Sequence, residues 1–483
     1  MWRLIQPNLT RWFIIPLWAI ITRSPYLDYY QKIRASQKQP RAQVNLEQFK
    51  QLKKILIHAY ETTTYYKHCF DTAGFSPYRL MDFQGLTQIP VLTKEKVRTN
   101  FDDLRSRKYP ENSLLKRATG GSTGTPMQFY VTKKREIFHA ATIALNYEWA
   151  GLRLGERLAM LWGSPFETSK YENIRGKIEN IVLGRCFLST FVLSDAILKK
   201  YLIFLKRFRP KVLLGYTSSL LAFAQFIEKN KLIPPKLASV MSGAETLHRY
   251  QREHLEQVFR CPVFNRYGGR DSGAVAAECP EQRNMHINSN LVYAEISPEG
   301  HILITDLWNE GMPFIRYDTE DQGIISPVHC SCGRGTPFFQ KIEGRIHDLL
   351  LKPNGEWVPG EFFPHLFKDI RGIKQFQVIQ DEITTLTLRL VKDEGLFTEK
   401  DIEYLRAHIL EYFGAIKLHF EYVHELPSLP SGKYQFTVCN ISKNHKPLGF
   451  IRIMFTLSIP ATRSTLSCHF ILLKITPNGR KAK

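Results

Sequence analysis

Between about residues 135 and 260 one pattern recurs: a short apolar run closes on glycine, and a helical stretch follows. "RLAMLWG" and "KVLLGY" are two such runs. "ASVMSGAETL" repeats the order, with a helix expected to open at Glu245 and to carry Leu247, Leu255, Val258 and Phe259; "CPVFNRYGG" follows as another strand. Repeated strand, turn and helix imply parallel strands covered by helices, an α/β architecture. In such sheets ligands sit where strands end and loops begin. The glycine turns are therefore where chemistry should gather.

The flanking sequence has other periods. Residues 45 to 60 put Leu46, Phe49, Leu52, Ile55 and Leu56 on one helical face, with Asn45 as N-cap, and Thr93 opens a further helix. From about 290 to 330, "LVYAEI", "HILITDL" and "QGIISPV" read as a small antiparallel β region. Beyond it, "KQFQVIQ" and "TTLTLRLV" pair across an Asp381-Glu382 turn. A helix over 399 to 413 with Ile402, Leu405, Ile409 and Phe413 precedes the strand "IKLHFEYV". This β-β-α-β order is that of a small α+β domain of ferredoxin-like type. The expected division is 1-44, an apolar and basic N-terminal segment; 45-344, a large domain of several subdomains with parallel sheets and the small β region; 345-440, the small α+β domain; and 441-483, an atypical tail.

The 483 residues, 43% hydrophobic and 23% charged, suit a globular chain with real cores. A net charge of +21 suits nucleic acid, an anionic membrane or polyanionic small ligands. The basic residues are spread along the chain and no nucleic-acid-binding motif accompanies them, so a nucleic-acid partner is not expected. Eight irregularly spaced cysteines do not make a disulfide framework, which points to a reducing cytoplasm. "WFIIPLWAII", residues 12 to 21, is about half the length needed to span a bilayer. Arg3 and Arg11 precede it, and no small-residue cleavage site follows. It reads as an aromatic-rich docking helix, either packed on the body or lying on a membrane surface as a peripheral anchor.

"TGGSTGTP" is not the P-loop pattern, because no Gly-Lys-Ser/Thr ends it. Gly120, Gly121 and Gly124 still let backbone N–H groups approach an anion, and Thr119, Ser122, Thr123 and Thr125 add hydroxyls. Alone, the run is either a phosphate cradle or a polar surface turn. The "KKRE" that follows at 133 to 136 reads as the solvated start of a helix.

Its company narrows the choice. In order along the chain come "SGAETL", "NRYGGRDSG", "IRYDTEDQG", "EGRIHDLL" and "LPSLPSGKYQF". Over roughly residues 30 to 440 this series resembles the adenylate-forming enzymes, the acyl-CoA synthetases and their relatives. The nearer resemblance is to the phenylacetate–CoA ligase branch, and within it to proteins encoded in capsular and exopolysaccharide clusters. The resemblance implies roles. The Thr119 to Thr125 loop closes over the β- and γ-phosphates of ATP. Gly243, Ala244 and Glu245 line the acyl and adenine side of the site. Tyr267, followed by Gly268, flanks the adenine, and Asp271 helps hold Mg²⁺. Asp321 and Arg345 reach the ribose, and Lys433 touches the acyl carboxylate and α-phosphate. Three positions depart from the pattern: Asp271 stands for glutamate, Glu320 for glycine, and His347 for the hinge residue.

The implied activity is ATP-dependent activation of a carboxylic acid to an acyl-adenylate, followed by transfer to CoA or another thiol, in the service of polysaccharide biosynthesis. The departures and the apolar N-terminus leave an alternative, a nucleotide-binding scaffold without ligase activity at a membrane polysaccharide assembly. A second constellation joins "ECPEQRNMHI" and "HCSCGR": Cys279, His286, Cys330 and Cys332 make an ordinary tetrahedral zinc set, with His301 and His329 as spare ligands. The resembled branch carries a structural zinc built from similar residues. The other reading is a group of unconnected buried or surface cysteines.

Overall fold

In this computed structural model the described residues are 2–119, 127–162, 180–190, 193–281, 284–343, 349–355, 357–359, 362–367, 370, 372–393, 395–426 and 437–441. The expected glycine loop (Gly120, Gly121, Ser122, Thr123, Gly124, Thr125), Arg345, His347, Lys433 and the tail from 442 lie outside them.

The stems of the glycine loop are a hairpin of β1 (Leu115–Ala118) and β2 (Gln128–Val131), paired antiparallel from Leu115 opposite Val131 to Ala118 opposite Gln128. Its mouth is closed reciprocally. Thr119 N donates to Met127 O at 2.9 Å, and Met127 N donates to Thr119 Oγ1 at 3.0 Å.

The parallel strands are β3 (Leu158–Leu161), β4 (Arg185–Leu188), β5 (Val212–Tyr216), β6 (Ser239–Gly243) and β7 (Val263–Gly269), ordered β4-β3-β5-β6-β7. β3, β5 and β6 are buried throughout, as strands covered on both faces must be. One face packs Leu161, Leu213 and Val240 against helices Asp195–Phe208, Thr217–Lys229 and Arg249–Phe259. The other packs Met160, Leu214, Met241 and Phe264 against Tyr147, Ala150 and Leu152 at the end of helix Lys133–Trp149.

At β7 the sheet changes character. β8 (Gly273–Glu278) returns antiparallel to it through a tight turn, with Gly269 opposite Gly273. β9 (Met285–Ile287), β10 (Val292–Ile296), β11 (His301–Asp306), β12 (Tyr317–Ile325) and β13 (Phe338–Glu343) extend the sheet in the order β8-β9-β13-β12-β11-β10. The expected antiparallel region therefore continues the parallel sheet, giving eleven strands in one surface among the described residues.

The C-terminal unit follows the expectation closely. β14 (Leu349–Leu351) and β15 (Trp357–Pro359) form a small ribbon. β16 (Ile373–Glu382), β17 (Thr385–Lys392), β18 (Lys417–Tyr422) and β19 (Thr437–Cys439) are ordered β18-β17-β16-β19. Leu386, Leu388 and Leu390 alternate inward on β17 and meet Leu405, Ile409 and Phe413 of helix Glu399–Phe413. Thr398 caps that helix through Asp401 Oδ2, with its N–H at 2.8 Å and its hydroxyl at 2.9 Å.

Local boundaries differ from expectation in three places. The helix expected at Glu245 begins at Arg249, because Ala244 takes a left-handed φ of 68° and the chain runs irregularly to the cap at His248. The first long helix spans Arg41–Thr62, starting after Pro40 rather than at Asn45, and Leu46 is exposed outside its Val44, Gln48, Leu52, Ile55 stripe. The hairpin turn is Ile383-Thr384, two residues beyond Asp381-Glu382. "KKRE" does start a helix, with Lys133 exposed and Thr132 Oγ1 capping it by accepting from Arg135 N at 3.2 Å, but Arg135 within it is buried.

Candidate functional site

The reversal from parallel to antiparallel at β7 brings the sequence motifs together. Gly268 adopts φ +149° and a Cβ there would strike the carbonyl of Gly273, so only glycine lets the β7–β8 turn close. The bulge between Tyr267 and Gly268 sends the Tyr267 hydroxyl toward β12. It donates to Asp321 Oδ2 at 2.8 Å and lies 3.3 Å from Thr319 Oγ1. Burial raises the Tyr267 pKa well above the phenol range, and the Asp321 carboxylate beside it adds to the effect. The ring meets Phe339 edge-on at 5.9 Å.

Asp271 lies in the same turn. Its Oδ2 accepts from Tyr317 Oη at 2.6 Å and its Oδ1 from Ser272 N at 3.0 Å. Two aspartates 50 positions apart in sequence thus flank one corner, each held by a tyrosine hydroxyl. Tyr317 and Thr319 sit inside the quoted "IRYDTEDQG", but nothing in the sequence tells which hydroxyl reaches which carboxylate.

Glu320 occupies the left-handed region at φ 65°, where glycine rests without strain. Its carboxylate pairs with Lys94 Nζ at 2.6 Å, and its N–H donates to Asp318 Oδ1 at 2.7 Å. These contacts offset a backbone cost of about 1 kcal/mol, so the departure from the resembled pattern has a local compensation.

The carboxyl ends of β3, β5, β6 and β7 border a second part of the site. Ser242 and Thr217 share a buried hydroxyl pair at 2.6 Å. Trp162 stacks on Tyr216 at 4.2 Å, and the Arg266 guanidinium lies over Trp162 at 5.3 Å. A Cβ at Gly243 would sit 2.9 Å from Arg266 Nε, so the missing side chain makes room for the arginine. Among the described residues no carboxylate pairs with Arg266. His139, on helix Lys133–Trp149, faces the same cations: burial pushes its pKa well below the ordinary imidazole value, and Arg135 and Arg266 push it further. Gly243 ends β6 here, with Ala244 and the half-buried Glu245 just beyond. Arg266 and Trp162 escaped the sequence reading, although both lie inside quoted strands.

Behind the Asp271 turn runs a buried ion pair. Arg135 Nε donates to Asp306 Oδ2 at 2.9 Å, with both side chains 2% exposed, and Arg135 Nη1 reaches Glu136 at 3.1 Å. Asp306 Oδ1 accepts from the N–H groups of Trp308 and Asn309. The remaining Arg135 nitrogen, Nη2, has no hydrogen-bond partner among the described residues and lies against Gly273.

The cysteine and histidine set also converges. Cys279 follows β8, His286 lies on β9, and Cys330 and Cys332 come from the β12–β13 loop. Register pairs Phe338 with His286, which carries that loop over the imidazole. The four ligand atoms lie within 4.8 Å of one another, with Cys332 Sγ 3.4 Å from His286 Nε2. His286 Nδ1 lies 3.1 Å from Thr336 O and 2.9 Å from Thr336 Oγ1; an N–H donated to that carbonyl leaves the Nε2 lone pair toward the sulfurs. Burial pushes the His286 pKa down to about 4, keeping it neutral. Burial opposes ionisation of Cys330, but N–H donors from Cys332 and Asn284 and the neighbouring thiols hold its pKa below the usual thiol value. Three sulfurs and a neutral imidazole at this spacing fit a tetrahedral zinc ion. His301 is not part of the set; its Nδ1 lies 3.0 Å from Asp318 Oδ2.

The chain resembles known proteins over most of its length. Residues 350–440 match the CapK C-terminal domain. The Protein CapK of Staphylococcus aureus is 26% identical over 365 residues, covering 74% of this chain and 81% of that protein. A phenylacetate-coenzyme A ligase of Thermus thermophilus is 25% identical over 391 residues, 77% of this chain and 86% of its own. A crystal structure of 2-hydroxyisobutyryl-CoA ligase in complex with 2-HIB-AMP and CoA superposes with a TM-score of 0.58 at 17% identity, over 85% of this chain and 92% of the other. The chain is thus similar in sequence to Protein CapK and to phenylacetate-coenzyme A ligases, and it shares its fold with 2-hydroxyisobutyryl-CoA ligase.

Proposed function

We propose that the protein activates a carboxylic acid with ATP and passes the acyl group to CoA or another thiol. The observation that carries this reading is the convergence of Tyr267, Asp321, Asp271 and Tyr317 at the point where the sheet changes from parallel to antiparallel. The likeness to phenylacetate-coenzyme A ligases supports it. In the first half-reaction a carboxylate oxygen attacks the α-phosphorus of ATP, the bond to the β-phosphate bridging oxygen breaks, and pyrophosphate leaves. In the second, a thiolate takes the acyl group and AMP leaves. Asp321 accepts from the ribose hydroxyls, Tyr267 borders the adenine, and the 120–126 loop between Thr119 and Met127 serves the β- and γ-phosphates. Lys433 and backbone N–H groups lower the barrier by meeting charge on phosphoryl oxygens, with no protein nucleophile. Asp271 supplies a hard carboxylate for Mg²⁺, which when bound neutralises phosphate charge. In the same proposal, residues 45-344 form the adenylation domain and 345-440 a mobile partner, the site is cytoplasmic, and the product serves polysaccharide biosynthesis. The test is ATP–pyrophosphate exchange across a panel of acids. Silence across the panel with ATP still bound would favour the nucleotide-binding scaffold instead.

Arg266 narrows the panel. A guanidinium without a described carboxylate partner, among Trp162, Tyr216 and His139, suits an acid with a second anionic group. A charge-assisted contact contributes about 1.5–3 kcal/mol, roughly ten- to a hundredfold in kcat/KM. Arg266→Ala is expected to lose that factor on dicarboxylic acids and to leave monocarboxylic acids within about twofold. Equal losses on both classes would remove Arg266 from the acyl chamber.

Zinc is proposed as a structural ion held by Cys279, His286, Cys330 and Cys332, tying β8 and β9 to the β12–β13 loop. The purified chain should carry close to one zinc by elemental analysis. Cys332→Ser should weaken zinc binding by more than about 100-fold, beyond the loss seen for a merely supporting contact. It should also lower the melting temperature. A Cys332→Ser protein with full zinc content would show that the four residues are not the ligand set.

A further inference from the structure

We propose that the outer face of residues 10–23 docks the protein on an anionic lipid surface. The segment is two short helices, Trp2–Leu9 and Ile15–Thr22, joined by a π-helical turn over Thr10–Ile14. That turn matters because it inserts one residue into the helical phase. Gln6, Thr10, Ile15 and Ala19 are buried, at spacings of four, five and four, so one seam faces the body along the whole segment. Thr10 Oγ1 donates to Val182 O at 2.6 Å, and Gln6 Nε2 reaches Gly155 O at 3.3 Å. Gly155 at φ +86° meets the backbone of Pro7 and Arg11, where any Cβ would collide.

Anchoring one seam turns the opposite one outward. Trp12 is 63% exposed, Phe13 67%, Leu17 58%, Trp18 49%, Ile20 73% and Ile21 72%. Single exposed apolar side chains are ordinary, but six within ten residues form a patch that calls for a partner. Ile181, beside Val182, is a further exposed aliphatic residue.

The charge around the patch selects the partner. Residues 1 to 27 contain Arg3, Arg11 and Arg23 and no aspartate or glutamate, in a chain of net charge +21. Arg11 lies over the Trp12 ring at 4.9 Å, and Arg23 is exposed at the other end of the apolar run. Arg185, exposed on edge strand β4, acts electrostatically on Tyr26, whose ring meets Trp18 edge-on at 6.4 Å. Tryptophans at the level of the headgroups with arginines beside them are what an anionic bilayer interface receives. No helix among the described residues is long and apolar enough to cross the bilayer, so the contact is peripheral.

The full-length protein should co-sediment with vesicles of phosphatidylcholine and phosphatidylglycerol at 7:3, and at least tenfold less with phosphatidylcholine alone. Brominated lipid should quench part of its tryptophan fluorescence. Ile20→Asp/Ile21→Asp should lose binding at least tenfold, and Trp12→Ala/Trp18→Ala should lose the quenching, each with an unchanged far-ultraviolet spectrum and melting temperature. The proposal is overturned by absence of sedimentation with anionic vesicles, or by sedimentation that the isoleucine variant leaves intact. It is equally overturned by a doubled molecular mass in solution that the variant abolishes, which would make the patch a contact between two copies.

Discussion

Lys433→Ala is expected to reduce acid-dependent ATP–pyrophosphate exchange by at least about 10²–10³-fold, the range for removing one preorganised charge donor from a transition state. ATP binding should fall by little. The adenine and ribose would still meet Tyr267 and Asp321, which hold each other through a 2.8 Å hydrogen bond. Exchange kinetics together with equilibrium nucleotide binding separate the two effects. Unchanged exchange would show that "LPSLPSGKYQF" is not the lysine loop. A parallel loss of ATP affinity would mean that Lys433 acts on the ground state instead of the reaction.

Arg135→Ala is expected to lower stability by about 3–5 kcal/mol, because it leaves the Asp306 carboxylate buried without its cation. A urea transition read by fluorescence would show the midpoint falling. The double variant Arg135→Met/Asp306→Leu should recover part of the loss, since it removes the orphan charge, though the Trp308 and Asn309 N–H groups then lose an acceptor. Exchange activity should fall with the single variant even where the fold survives, because Arg135 Nη2 backs the Gly273 end of the turn that carries Asp271. A single variant as stable as the parent would mean that water reaches Asp306.

Much of the architecture was legible because it rests on local periods. Helix Glu399–Phe413 matches its expected span, since Thr398 and Asp401 mark its start and Gly414 its end. The parallel strands were legible from apolar runs that stop at glycine. Boundaries failed where a single backbone conformation intervened: the left-handed Ala244 delays the following helix to Arg249, and Pro40 starts a helix that Asn45 was expected to cap. Arg135 failed for a different reason. In a run of Lys, Lys, Arg and Glu its charge reads as solvent-exposed, and only the approach of Asp306, 171 positions away, makes burial tolerable.

The cysteine and histidine set shows both sides. Residue types and order suggest zinc, but an unconnected set of thiols is also consistent with the sequence. Convergence within 4.8 Å depends on β13 pairing with β9, a register that no local signal encodes.

By itself the sequence determined which chemical groups the protein owns and in what order. A hydroxyl-rich glycine loop, a Tyr-Gly turn followed by aspartate, a second aspartate strand and a late lysine are linear facts. Helical and strand periods are set by steric and solvation preferences over a few residues. The tertiary structure alone decided that Tyr267 reaches Asp321, that Tyr317 holds Asp271, that Arg266 lies over Trp162, and that the apolar N-terminal run shows its second face to solvent. Those outcomes depend on strand register and on a π-turn that shifts helical phase, and both are fixed by packing between segments far apart in the chain.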